Sequence, residues 1–249
     1  MDRLEIIAHR GSSFIAPENT RAAMELAWQE GADAIEADFR LTRDGQVVCI
    51  HDPTLKRTGG ANRRVADCSL DELRTFDVGS WKDPQYADQR VPTLEELLSA
   101  VPPGKRIYVE VKSGLEIVEP LHDVIQSSSL PAEQIVCICL QLPIVTAIKE
   151  AIPECPAYWV VEFKRAETGQ WRPNSREIIG AAERAGLNGL DLMATGPIDA
   201  PLVKRVKAAN LDLCVWTVDD PARAKRLIDL GVQRITTNRP GWLREQVTG

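Results

Sequence analysis

No run in this 249-residue sequence approaches the length of a membrane-spanning helix. The first residues, Met1-Asp2-Arg3-Leu4-Glu5-Ile6, hold no apolar stretch long enough for a secretion signal. Both absences predict a cytoplasmic protein without a membrane span. Cysteine pairs at metal-binding spacing are missing too: Cys49, Cys68, Cys137, Cys139, Cys155 and Cys214 show no C-x-x-C. Most of them lie in apolar runs, so free thiols in a reducing compartment are expected, not a disulfide framework or a zinc site. An excess of positive charge is absent as well. The formal net charge is −6, which argues against a nucleic-acid partner or an anionic membrane surface. An anionic small molecule stays possible, because a few local cations or one bound metal can reverse the field in a cleft. Histidine is scarce, with three in all: His9, His51 and His122.

What is present is a recurring short apolar run. Leu4 to Ala8 reads as a buried strand. Pro17-Glu18-Asn19-Thr20 opens a helix, with Asn19 as its expected N-cap, and Gly31 closes it. Ala34 to Phe39 is the next strand, and Thr42-Arg43-Asp44-Gly45 turns the chain into a returning strand that ends at Ile50. Residues 52–90 are polar, carry Gly59-Gly60 and hold one short helix signal, the capping box at Ser69 to Glu72. They are expected to be an insertion with too few apolar residues for a core of their own. Strand-like runs near 106–111, 134–140, 157–161, 189–192, 211–217 and 234–237 then alternate with helices. Eight β and α units in a chain of this size predict one α/β domain over 1–249, a (β/α)8 TIM barrel with a small insertion after the second strand. A doubly wound open sheet is the competitor. It calls for a Gly-rich phosphate turn after the first strand, and His9-Arg10-Gly11-Ser12 is not G-x-G-x-x-G.

Barrel enzymes act at the carboxyl ends of their strands, and this chain puts its polar residues there. His9 and Arg10 end the first strand, Glu36 and Asp38 the second, and His51 its returning partner. Glu110 and Lys112 end the third, Trp216 the seventh and Asn238 the eighth. Glu36 and Asp38 are two apart, so a strand directs both to one side. Acids within apolar strands are costly unless paired or metal-bound. As a buried ion network they would pair with Arg10, Arg40 and Lys112, and each acid pair alone favours that reading. Glu36, Asp38 and Glu110 converging at one mouth favour a hard oxygen site for one divalent cation, Mg²⁺ or Ca²⁺ before zinc. His9 and His51 then supply general acid and base. Arg10 and Lys112 fit the charge of a phosphodiester. His122 lies in a helical stretch as a surface or packing residue.

These segments resemble the glycerophosphodiester phosphodiesterases. His9-Arg10-Gly11, Pro17-Glu18-Asn19-Thr20, Glu36-x-Asp38, His51-Asp52 with Leu55-x-Arg57-Thr58, Pro92-Thr93-Leu94-Glu95-Glu96, Glu110-x-Lys112 and Trp216-Thr217-Val218 stand in that family's order. The resemblance runs from about Ile6 to Pro240 and implies a (β/α)8 barrel that hydrolyses glycerophosphodiesters to glycerol 3-phosphate and an alcohol. It implies Glu36, Asp38 and Glu110 as metal ligands, His9 and His51 as the acid–base pair, Arg10 and Lys112 as phosphate contacts, and Trp216 as a wall of the substrate site. Whether water or the glycerol 2-hydroxyl attacks first stays open.

The chain departs from the family at two corners. Thr237-Asn238-Arg239-Pro240 stands where Thr-Asp-x-Pro is usual, which keeps an acceptor and loses a charge. Cys139-Leu140-Gln141 stands where Ser-Phe is usual, so that wall of the site differs. Two other readings of the chemistry are a Schiff-base lyase built on Lys112 and a lysophospholipase-D-like activity on the same site, which needs apolar surface for an acyl chain that the polar insertion is not expected to provide. Trp28 and Trp242 read as packing residues, while Trp81 and Trp171 are placed to line a mouth or a partner surface.

Overall fold

The computed structural model describes residues 4–248. Its strands are β1 (Glu5–His9), β2 (Ala34–Leu41), β3 (Val47–Cys49), β4 (Arg106–Val111), β5 (Ile135–Cys139), β6 (Ala157–Val161), β7 (Lys164–Arg165), β8 (Trp171–Arg172), β9 (Gly189–Met193), β10 (Asp212–Trp216) and β11 (Arg234–Thr237). All but β3, β7 and β8 pair in parallel, and β1 pairs with both β2 and β11, so the sheet closes into an eight-stranded barrel. β3 returns antiparallel along β2, and β7 and β8 form a separate ribbon. Around the barrel lie α1 (Arg21–Gln29), α2 (Leu70–Arg74), α3 (Leu94–Ser99), α4 (Val118–Ser127), α5 (Leu142–Ala151), α6 (Ser175–Arg184), α7 (Ala200–Ala208), α8 (Pro221–Asp229) and α9 (Pro240–Thr248). Among the described residues, no helix is long and apolar enough to cross a membrane.

The period of two along each strand sorts its side chains into two cores. Ile6, Ala8, Ile35, Ala37, Phe39, Ile107 and Val109 face outward into the layer shared with the helices. Ile7, Ala34, Tyr108, Val136, Ile138, Tyr158, Val160 and Cys214 fill the barrel. Tyr108 and Tyr158 meet edge to face there, with centroids 6.1 Å apart. His9, Glu36, Asp38, Glu110, Asp191 and Trp216 have the parity of this inner set. The site is therefore what the barrel lining becomes where its apolar layers end.

Three expectations are corrected. Thr20, not Asn19, caps α1: its Oγ1 accepts from the Ala23 N–H at 3.3 Å. Asn19 has a φ of +58° and is buried, with its amide turned back to Asp38. The insertion does have an apolar cluster. Leu55, Val65, Cys68, Leu73 and Val78 close over Val48 and Ile50, so its packing partners lie on and beside β3, outside the segment. Trp171 packs against the main core and is not among the residues lining the central cavity. The capping boxes at Ser69 and Thr93 are both formed, and all six cysteines are buried and free.

Gly11 holds the turn after β1. Its φ is +79°, and a Cβ would lie 2.5 Å from the Ala23 carbonyl carbon. Both the left-handed backbone and the close approach demand glycine. Gly11→Ala is expected to cost at least about 2 kcal/mol in urea unfolding; a midpoint equal to wild type would show that α1 can retreat from the turn at no cost.

Candidate active site

Parallel register does most of the assembly. His9 stands opposite Glu36 across β1 and β2, and Asp38 stands opposite Glu110 across β2 and β4. Glu36, Asp38 and Glu110 each offer an oxygen within 4.8 Å of the others. Directly after β1 the chain enters the left-handed region at Arg10 (φ +55°) and Gly11. That reversal points the Arg10 N–H at Glu36 Oε2, 2.9 Å away. The same turn lets the Arg10 guanidinium reach Asp38, with Nε 3.0 Å from Oδ2. Lys112 Nζ lies 2.5 Å from Glu110 Oε1 and 3.2 Å from Asp38 Oδ1.

The cluster is crowded with negative charge. Burial lifts the Glu36 carboxyl well above its usual range, and Asp38 and Glu110 push it further. Burial and Asp38 raise Glu110 as well. Burial would also raise Asp38, but Arg10 and Lys112 outweigh it and bring that carboxyl down to about 2. Arg10 and Lys112 thus hold Asp38 ionised and compensate Glu36 only in part. Glu36 Oε1 is buried without a hydrogen-bond partner, which a native interior rarely tolerates. An all-oxygen donor set, an orphaned carboxylate oxygen and surplus negative charge fit a hard divalent cation, which these three acids could hold.

The imidazoles flank this cluster. His9 Nε2 lies 3.9 Å from Glu36 Oε2, and Nδ1 lies 2.7 Å from Asn238 Oδ1. Burial, then the Arg10 charge, lowers the His9 ring to about 4 despite the Asn238 contact, so it is neutral at neutral pH. His51 Nδ1 is 2.7 Å from Asp52 Oδ1. A carboxylate can only accept, so Nδ1 of His51 donates. Asp52 is in turn gripped by Arg57 Nε and Nη2, each at 2.9 Å. Arg57 also binds both Glu18 oxygens, and Glu18 reaches back to Arg10 Nη1 at 2.9 Å.

A cavity of about 120 Å³ opens over the cluster, lined by His9, Arg10, Glu36, His51, Glu110, Lys112 and Trp216 among others. All eight residues singled out from the sequence except Asp38 line it, and Asp38 lies beneath its floor, fully buried. A larger hollow of about 440 Å³ beside α1 has none of these residues, so volume does not decide the site. Four partners escaped the sequence reading. Asn19 donates from Nδ2 to Asp38 Oδ2 at 2.8 Å and accepts the Asp38 N–H at 3.1 Å. Glu18 and Arg57 stood in the recognised motifs without a role. Asp191 lines the cavity with a buried, unpartnered Oδ1, and burial pushes its carboxyl up to about 8. Its signal was available: an acid on the inward side of the apolar run Gly189-Leu190-Asp191-Leu192, the pattern that exposed Glu36.

Known proteins share this architecture. A glycerophosphodiester phosphodiesterase of Caldanaerobacter subterraneus is 31% identical over 242 residues, 94% of each chain. A glycerophosphodiester phosphodiesterase of Bacillus subtilis is 29% identical over 262 residues, covering 96% of this chain and 85% of the relative. Among solved structures, an Oleispira antarctica phosphodiesterase in complex with the product sn-glycerol-3-phosphate superposes with a TM-score of 0.86 at 26% identity, covering 98% of this chain and 97% of that one. With residues 9–242 matching its sequence pattern, the chain belongs to the glycerophosphoryl diester phosphodiesterase family.

Proposed function

We propose that the protein hydrolyses glycerophosphodiesters to glycerol 3-phosphate and an alcohol. Glu36, Asp38 and Glu110 hold one divalent cation, Mg²⁺ or Ca²⁺, and His9 and His51 move the protons. The observation that carries this reading is that two imidazoles line one cavity together with Glu36 and Glu110, two members of a three-carboxylate cluster. When bound, the cation supplies positive charge to a phosphoryl oxygen. Arg10 and Lys112 present further cations on the same side. The nucleophile, water or the glycerol 2-hydroxyl, gives its proton to one imidazole as its oxygen bonds to phosphorus, and the other imidazole protonates the departing alkoxide as the P–O bond breaks. Where the glycerol 2-hydroxyl attacks, water then opens the resulting cyclic phosphate in a second step of the same kind. Trp216 forms the wall, its Nε1–H tied to the Asp191 carbonyl at 3.2 Å. The lyase reading loses support, since Asp38 and Glu110 keep the Lys112 ammonium above its ordinary value against burial. A Schiff base needs a free amine.

A second substrate class is favoured by one observation. Among the described residues the large apolar side chains left exposed are Phe14, Ile15, Trp81, Leu115 and Leu140. All lie in segments that follow the carboxyl ends of strands, Leu115 in a short 3-10 turn after β4, and Leu140 lines the cavity. Leu140 gives the acyl chain of a lysophospholipid an apolar contact at the cavity.

The test is a panel of glycerophosphocholine, glycerophosphoethanolamine and lysophosphatidylcholine with Mg²⁺ or Ca²⁺, scored for released glycerol 3-phosphate and for choline. Absence of glycerol 3-phosphate from both glycerophosphodiesters would sink the main reading, and choline release from the lysolipid would support the second. Within it, Lys112→Met is expected to raise KM about 10-fold or more, the size of one charge-assisted hydrogen bond, with metal affinity retained in calorimetry. Unaltered kinetics would reduce Lys112 to an ion-pair partner.

A further inference from the structure

His9 hangs from a chain of hydrogen bonds that ends on a carboxylate outside the cavity. Asp219, between β10 and α8, accepts the Thr237 hydroxyl and the Asn238 backbone N–H at Oδ1, both at 2.8 Å. Its Oδ2 accepts from Asn238 Nδ2 at 2.6 Å. A carboxylate offers no donor, so Asn238 must turn its amino end toward Asp219. Its carbonyl oxygen then faces His9 Nδ1, 2.7 Å away. An acceptor at that place requires Nδ1 to carry the hydrogen, which leaves the lone pair on Nε2, toward Glu36 and the cavity.

Nothing else nearby forces this choice. Ser13 Oγ lies 2.9 Å from Asn238 Oδ1 and 2.7 Å from the His9 carbonyl oxygen. A hydroxyl serves either orientation of the amide, as donor or as acceptor. With Ser13 and His9 alone, a turned amide facing a ring bare at Nδ1 would be the better satisfied arrangement, because the single Ser13 hydrogen now has to serve two acceptors, the His9 carbonyl and Asn238 Oδ1. The Asp219 charge overrides that preference. The negative charge missing at position 238 stands one hydrogen bond further back.

We infer that Asp219 is a positioning residue: through Asn238 it holds His9 in the tautomer whose Nε2 is free to exchange a proton. The role of His9 in turnover rests on the proposed hydrolysis, but its tautomer does not.

The test is a swap of the two groups, with Asp219→Asn, Asn238→Asp and the double variant D219N/N238D. In Asp219→Asn the amide orientation is no longer dictated. In Asn238→Asp two carboxylates face each other. Each single variant is expected to lose about 10²-fold or more in kcat, with KM within about 2-fold, as a wrong tautomer does in a serine protease triad. In the double variant the amide at 219 donates to the carboxylate at 238, which still accepts from His9 Nδ1. It is expected to recover at least about 10-fold over either single variant. Imidazole ¹⁵N shifts without substrate, with His9 assigned by its loss in His9→Ala, should show the Nδ1–H form in wild type and in the double variant and a mixture in Asp219→Asn. Single variants with wild-type kcat, a double variant no better than the worse single, or an unchanged ¹⁵N pattern in Asp219→Asn would each overturn the inference. If wild type cleaves no diester, the proposed hydrolysis fails while the ¹⁵N arm still decides the tautomer.

Discussion

Alanine at His9 or at His51 is expected to slow hydrolysis of glycerophosphocholine by about 10²–10⁴-fold. Each ring is the sole imidazole on its side of the carboxylate cluster, and each has Nδ1 engaged by a fixed partner, so removal leaves no nearby group to take over. The folded state should survive. The side chains are 16% and 34% exposed, so neither truncation opens a deep cavity. His51→Ala does strand Asp52, but Arg57 still grips that carboxylate. Thermal melts within a few degrees of wild type, together with the rate loss, would place both rings in proton transfer. Ordinary turnover in either variant removes that residue from the role.

Chelation is the second large effect. EDTA is expected to silence the enzyme, and added Mg²⁺ or Ca²⁺ to restore it. The physical ground is the imbalance in the cluster, where Lys112 and Arg10 outweigh burial at Asp38 but not at the raised, half-orphaned Glu36. A divalent ion that binds there should also stabilise the fold, by about 2.7 kcal/mol at a free concentration 100 times its Kd. That gives a readout without substrate: a rise in melting temperature with the ion, largely lost in Glu36→Gln. Full activity in excess EDTA ends the metal reading, whatever the melts show.

The barrel was legible because its signals are local. Each strand is a short apolar run closed by a turn, and an acid within such a run announces a special environment, as at Glu36 and Asp38. What escaped depends on neighbours distant in sequence. Asn19 looked like an N-cap because Pro-Glu-Asn-Thr is a helix opening. Its left-handed backbone and its grip on Asp38 exist only once β2 is beside it. The apolar residues of the insertion are too dispersed to suggest a core, since Val48 and Ile50 complete it from outside. Asn238 read as a lost charge because Asp219 lies 19 positions away and meets it only once β10 and β11 stand side by side.

The closure of the barrel has a consequence in time. His9 is made 229 positions before its hydrogen-bond partner Asn238, and the pairing of β1 with β11 is the seam that brings them together. Contacts of such separation form late, after the chain has met the entropic cost of its longest loop. A ribosome-bound chain stopped before β11 lacks the Asn238 partner that orients His9. In refolding from urea, recovery of turnover should therefore lag behind recovery of helical circular dichroism.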